Sequence, residues 1–188
     1  MQVYKINSIN DQGDILNFDP YSIYKSLKND KNIPESELMI KVFDLHINNG
    51  SIRDMWPNVM PIKALSPLYK NVDLYVQGGF LILSEKALSY LTDYLRDYGE
   101  FLSIEVESKK MALFNLHVFG QEDLDKCVED YSKGVRSGFK AFSFVDSDID
   151  EKLLFKSKLL DGIGFFCTEK FKCFAESKGF RGIEFELI

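Results

Sequence analysis

Two histidines, His46 and His117, and three cysteines, Cys127, Cys167 and Cys173, are the groups here best suited to acid–base or nucleophilic chemistry. Their spacing assembles little. No Cys-x-x-Cys or His-x3-His pair supplies half of a zinc site, and an odd number of cysteines without paired spacing reads as reduced thiols. Cys167 ends an apolar run and Cys173 falls inside a helical pattern, so both read as small hydrophobes. Asp146, Asp148 and Asp150 match the first three ligand positions of a calcium loop. Glu151 then stands where that loop turns on glycine, and Ser157 where it closes with a bidentate glutamate, so the stretch reads as a solvated acidic turn. Ser22 and Lys25 form Ser-x-x-Lys without its companion motifs. Gly78-Gly79 lacks the third glycine and the lysine of a phosphate-binding turn. No metal or cofactor is expected.

Ser84 and Thr168 are the other hydroxyls of interest, because each ends an apolar run and precedes Glu-Lys and a helical segment. A hydroxyl there can accept from an unpaired amide of the first helical turn, and the glutamate that follows suits the helix dipole. Both are therefore expected to be caps. Gly99 and Gly179 are expected to close the two helices. Beyond them "SIEVE" (103–107) corresponds to "GIEFE" (182–186), which makes a duplicated strand–helix–strand unit.

The elements around these residues follow from periodicity. Asp19 offers an N-cap and Pro20 a first helical position, with Ile23, Tyr24 and Leu27 at helical spacing. The dense run from Leu38 to Leu45 predicts a buried strand, and the Pro-rich stretch from Asn48 to Pro67, which holds Met55 and Trp56, a loop or lobe boundary. "DLYV" and "FLIL" predict strands flanking Gly78-Gly79. Ala87, Leu88, Leu91, Tyr94, Leu95 and Tyr98 form one helical stripe. "FLSIEVE" and "MALFNLHVF" alternate as strands, Leu124, Val128 and Tyr131 predict a helix, and "GFKAFSFV" and "KLLF" predict further strands.

Composition bounds the rest. A 188-residue chain that is 45% apolar can bury a substantial core as a single domain. Its net charge of −6 argues against nucleic acid and anionic membrane and for a basic partner. The first residues lack a signal-peptide pattern and no apolar run reaches membrane-spanning length, so the expected location is cytoplasmic.

From about Phe80 onward the chain resembles the immunity proteins of bacterial polymorphic toxin systems, a group once known only as a domain of unknown function. The resemblance rests on "LILSEKALSYL", "ALFNLHVFGQEDLDKCVEDYS" and "KLLFKSKLLDGIGFFCTEKFKCFAESKGFRGIEFE". Asn115, Asp123, Asp125, Phe155, Thr168, Glu169, Gly182 and Phe185 occupy the matching places. It implies a protein that binds and neutralises a cognate toxin and carries no catalytic residues.

The expectation is thus one α+β domain over 1–188, with a variable lobe (1–70) and a repeat-containing core (71–188). Helices would pack on a mixed or antiparallel sheet containing the duplicated unit. Its function would be stoichiometric inhibition of a basic toxin through Asp146, Asp148, Asp150, Glu151, Glu122 and Asp123, with Trp56 as an apolar anchor. The alternatives are a small hydrolase or transferase using His117 with a cysteine or carboxylate, and a generic interaction module.

Overall fold

The structure, a computed structural model, describes residues 1–9, 13–18, 20–27, 32–48 and 50–188, with backbone only at 46 and 48. The expected N-cap Asp19 and the side chain of His46 lie outside the described residues.

The segments expected as strands fold into β3 (Leu74–Gln77), β4 (Phe80–Ser84), β5 (Gly99–Val106) and β6 (Lys109–Leu116). With the short β2 (Met60–Pro61) they form a five-stranded sheet of order β2-β5-β6-β4-β3, antiparallel except where β2 runs parallel to β5. The helix α4 (Glu85–Tyr94) joins β4 to β5, and its Ser84 cap accepts from the Ala87 amide at 3.2 Å.

A second, antiparallel sheet has the order β11-β1-β10-β9, from β1 (Val3–Ser8), β9 (Leu154–Lys156), β10 (Phe165–Thr168) and β11 (Ile183–Leu187). Here α6 (Glu169–Ser177) joins β10 to β11. The repeat was expected around one sheet, whereas the two segments it was read from lie in two. In each sheet the strand before the helix neighbours its hairpin partner on one side. On its other side a strand lies between it and the strand after the helix: β6 in the first sheet, β1 in the second.

The sheets meet at β1 and β3, where the Ser8 hydroxyl donates to the Val76 carbonyl (3.0 Å) and accepts from its amide (2.9 Å). Leu81, Leu83, Phe114 and Leu116 share one core with Ile6, Phe165 and Cys167, together with Leu91 of α4 and Phe171 of α6. The two helices touch through Tyr94 and Phe174, stacked with centroids 4.1 Å apart; such a pair contributes about 1 kcal/mol beyond its buried area. On the opposite face of the five-stranded sheet, Ile82, Leu102, Ile104 and Leu113 pack against α1 (Pro20–Ser26) and α2 (Glu35–Phe43).

Several expectations are corrected. The run from Leu38 is the helix α2, followed by the turn α3 (Leu45–Asn48). Pro34 precedes it and Glu35 and Glu37 favour its first turn. Only Leu38 and Val42, four apart, are buried there, while Ile40 and Phe43 are exposed. The segment expected as a helix through Leu124, Val128 and Tyr131 is a turn followed by β7 (Val128–Ser132), paired with β8 (Val135–Ala141) as a separate ribbon. All three apolar residues are exposed, so a helical stripe would have met no core.

Gly99 does not close α4, which ends at its cap Leu95; it starts β5, where a Cβ would overlap the Asn115 carbonyl oxygen. Gly179 does follow the cap of α6. Thr168 makes no side-chain cap; its hydroxyl donates to the Lys152 carbonyl at 2.9 Å, binding β10 to the segment before β9.

Candidate functional site

The chain between β6 and β9 builds an arm. Gly120 donates to the Lys156 carbonyl at 3.0 Å, tying the arm's start to β9. Asp123 then donates to Ser143, and Val145 to Gln121, each at 2.9 Å, so the two ends of the arm run side by side. Phe144 and Phe142 pin this base: Phe144 meets Phe155 and Phe166 edge-on at 4.9 Å, and Phe142 stacks on Phe166 at 5.3 Å. Beyond the base the ribbon β7–β8 extends to the turn at Lys133-Gly134, both at positive φ.

Six of the seven expected partner-binding residues gather at this base. Asp146 and Asp148 lie in the short turn α5 (Asp146–Ile149) and Asp150 caps it. The Asp146 side chain is 73% exposed and meets the chain's amino group at 3.4 Å. Asp150 and Glu151 are exposed, and their carbonyls accept from Lys170 and from the Tyr98 hydroxyl. Asp123 pairs with Lys126 at 2.7 Å.

Two of the six already have internal duties. Asp148 accepts from the Gln121 amide (2.7 Å) and from Lys152 (2.6 Å). Burial alone would raise its pKa; these bonds and the Lys152 charge bring it below the ordinary value. Glu122 accepts from the Ser157 hydroxyl (2.7 Å) and the Leu159 amide (3.2 Å), which fixes the loop after β9. Trp56 is elsewhere. It is 7% exposed, packs in the core beneath the five-stranded sheet, and donates its indole N–H to the Ser103 carbonyl at 2.9 Å.

Residues the sequence did not single out for binding complete the surface. Val128, Tyr131 and Val135 are exposed along the ribbon and Leu124 in the turn before it, as are Asp125 and Glu129. For Leu124, Val128 and Tyr131 the signal was present in their apolar spacing, read there as a helix.

A second polar cluster surrounds Glu100, 3% exposed. Its carboxylate accepts from the Ser51 hydroxyl (2.6 Å), the Ile52 and Arg53 amides (both 3.1 Å) and Asn115 Nδ2 (2.9 Å). His117 Nε2 lies 3.7 Å away. Burial would raise the pKa of Glu100, but the nearby His117 and hydrogen bonds from Ser51, Asn115 and Ile52 outweigh it and hold the group at about 2. A carboxylate so engaged is a strong acceptor and a poor base: it fastens residues 51–53 to β5. Thus His117 has a carboxylate neighbour, as the enzymatic alternative required, but one already committed to the backbone. Cys167 is fully buried and burial pushes its thiol far up, which opposes the thiolate that nucleophilic chemistry needs.

Lys156 is the other missed group: fully buried, its ammonium 5.2 Å from the Phe119 ring centroid, with burial lowering its pKa to about 8. Among the described residues no three His, Cys, Asp or Glu side chains come together as metal ligands, and no helix is long and apolar enough to cross a membrane. Compared with protein-family models the chain matches none, and no curated protein matches it.

Proposed function

We propose that this protein is a non-catalytic, cytoplasmic inhibitor of the immunity type, which binds and neutralises a basic toxin by covering it with the arm from Gln121 to Glu151. The observation that carries the reading is the ribbon β7–β8, which belongs to neither main sheet and exposes Tyr131 and Val135 at 58% and 71%. A two-stranded ribbon is marginal in water on its own, and large apolar side chains kept on it favour a protein partner. Tyr131 is the kind of residue that anchors interfaces. The carboxylates of Asp123, Asp125, Asp146, Asp150 and Glu151 would steer a basic surface towards that anchor. Trp56 drops out as an anchor because the core already occupies it. The resemblance to toxin-neutralising proteins supplies the kind of partner.

The proposal extends to the scaffold. The set β3, β4, α4, β5, β6 and the set β9, β10, α6, β11, β1 are two copies of one unit, the second completed by the first strand of the chain. The matching strand orders support this, as do the matching helix-linking positions.

The test is to express the adjacent reading frame alone and with this chain, score survival, and titrate the two purified proteins by calorimetry. Rescue with one-to-one binding, weakened by Tyr131→Ala, is the expected result. A harmless neighbour, or binding untouched by changes along the arm, would overturn the reading.

A further inference from the structure

An open groove of about 690 Å³ lies where the turn Pro67–Lys70, the start of α4, the β5–β6 turn and the loop before β11 converge. Lys70, Lys86, Lys109, Lys110 and Arg181 surround it. They come from four separate parts of a chain whose net charge is −6, so the fold gathers cations against the overall balance.

The local carboxylates do not neutralise the set. Asp73 lies beneath it, its side chain 5% exposed, with Lys86 at 3.3 Å and Arg181 at 3.4 Å on the same oxygen. Two cations on one carboxylate leave a positive excess. Lys70 and Lys109 both stand over the Tyr69 ring, at 5.5 and 5.7 Å from its centroid. Glu107 holds the Tyr69 hydroxyl at 2.8 Å and reaches Lys70 only at 4.0 Å; Glu85 is the remaining acid on the rim. Beside Asp73, the buried Tyr69, Val72 and Met111 give the floor its apolar part.

We propose that this groove docks an extended acidic segment of a partner protein, independently of the arm. Single ion pairs with exposed cations such as Lys70 and Arg181 contribute little each, so useful affinity requires several carboxylates carried on one chain. A nucleic-acid strand offers repeated charge too. It would continue past the groove onto an acidic protein, and the buried Tyr69 ring presents no face on which a base could stack. A short acidic segment ends within the groove.

The experiment titrates the full chain with a fluorescent oligoglutamate peptide, using oligothymidylate of equal charge and inorganic phosphate as competitors. Expected are saturable binding that weakens with added salt, and a loss of about tenfold or more in Lys109→Glu/Lys110→Glu with an unchanged thermal midpoint. If that reversal disturbs the β5–β6 pairing, Lys70→Gln/Lys109→Gln gives the same reading without new repulsion. Absence of saturable binding, equal binding by folded variants, or preference for oligothymidylate or phosphate overturns the proposal. So does self-association removed by the same substitutions, which would assign the groove to a second copy of the chain. Asp146→Lys, which tests the arm, should leave peptide affinity unaltered.

Discussion

Asn115 lies directly across the β5–β6 ladder from Glu100 and donates from Nδ2 to its carboxylate at 2.9 Å. The same nitrogen reaches the Gly50 carbonyl at 2.9 Å, so a single amide joins both strands to the segment that carries Trp56.

Together with His117, Ser51 and the Ile52 amide, that bond makes Glu100 an acid sensor for stability. Its folded pKa, about 2, lies below the ordinary value of 4.5, so its contribution is present above about pH 4.5 and is lost as pH falls towards 2. The difference corresponds to on the order of 3 kcal/mol. Glu100→Gln should lower stability at pH 7 by about 2–3 kcal/mol and flatten the pH dependence between pH 4.5 and 2. Urea denaturation at both ends of that window reads this directly; an unchanged slope would remove Glu100 from the account.

Gly99 begins β5 and Gly182 immediately precedes β11, and neither position has room for a Cβ. At Gly99 a Cβ overlaps the Asn115 carbonyl oxygen; at Gly182 it overlaps the Leu74 carbonyl oxygen, and φ is 107°. Either change to alanine should cost about 3 kcal/mol, the upper range for overpacking. Thermal unfolding would show it, and a loss below about 1 kcal/mol at both sites would mean the strands can separate freely.

On the arm, charge and apolar contact should separate kinetically. Asp146→Lys with Glu151→Lys should slow association with the partner and reduce its salt dependence, whereas Tyr131→Ala should mainly speed dissociation. Surface-plasmon resonance distinguishes the two. Equal effects on both rates from either change would argue against a steering rim around an apolar anchor.

A circular permutant tests the second unit. The Ile188 amide donates to the Val3 carbonyl at 3.1 Å, and Leu187 pairs with Tyr4. A short glycine-rich bridge from Ile188 to Met1, with new ends at the exposed turn Lys133-Gly134, makes β11–β1 a hairpin like β5–β6. Stability within about 2 kcal/mol of the parent is expected from the retained pairings. Failure to fold would show that an unjoined β1 is essential.

Much of the central fold could be read from periodicity. Apolar runs flanking Gly78-Gly79 located β3 and β4, alternation located β5 and β6, and the cap at Ser84 marked the start of α4. Two apolar patterns misled. Around Leu38 a dense run read as a strand, although Pro34 and the glutamates after it mark a helix start. Around Leu124 helical spacing was outweighed by β7–β8 pairing through the Lys133-Gly134 turn. Glu100 left a trace, since it falls in phase with the buried Leu102, Ile104 and Val106. The lysines of the basic groove left none, because positions 70, 86 and 109 meet only once the five-stranded sheet has formed, and Arg181 joins them from the loop before β11. Trp56 shows that aromatic type alone does not separate an interface anchor from a core residue.

The position of β1 also orders events on the ribosome. Strands β3 to β6 and α4 lie within Leu74–Leu116 and can associate while synthesis continues. By contrast β1 must wait for its strand partners until residues Phe165–Thr168 and Ile183–Leu187 have emerged. The newborn protein therefore carries one assembled sheet and one exposed strand, and anything that shields Val3–Ser8 during elongation should raise the yield of folded molecules.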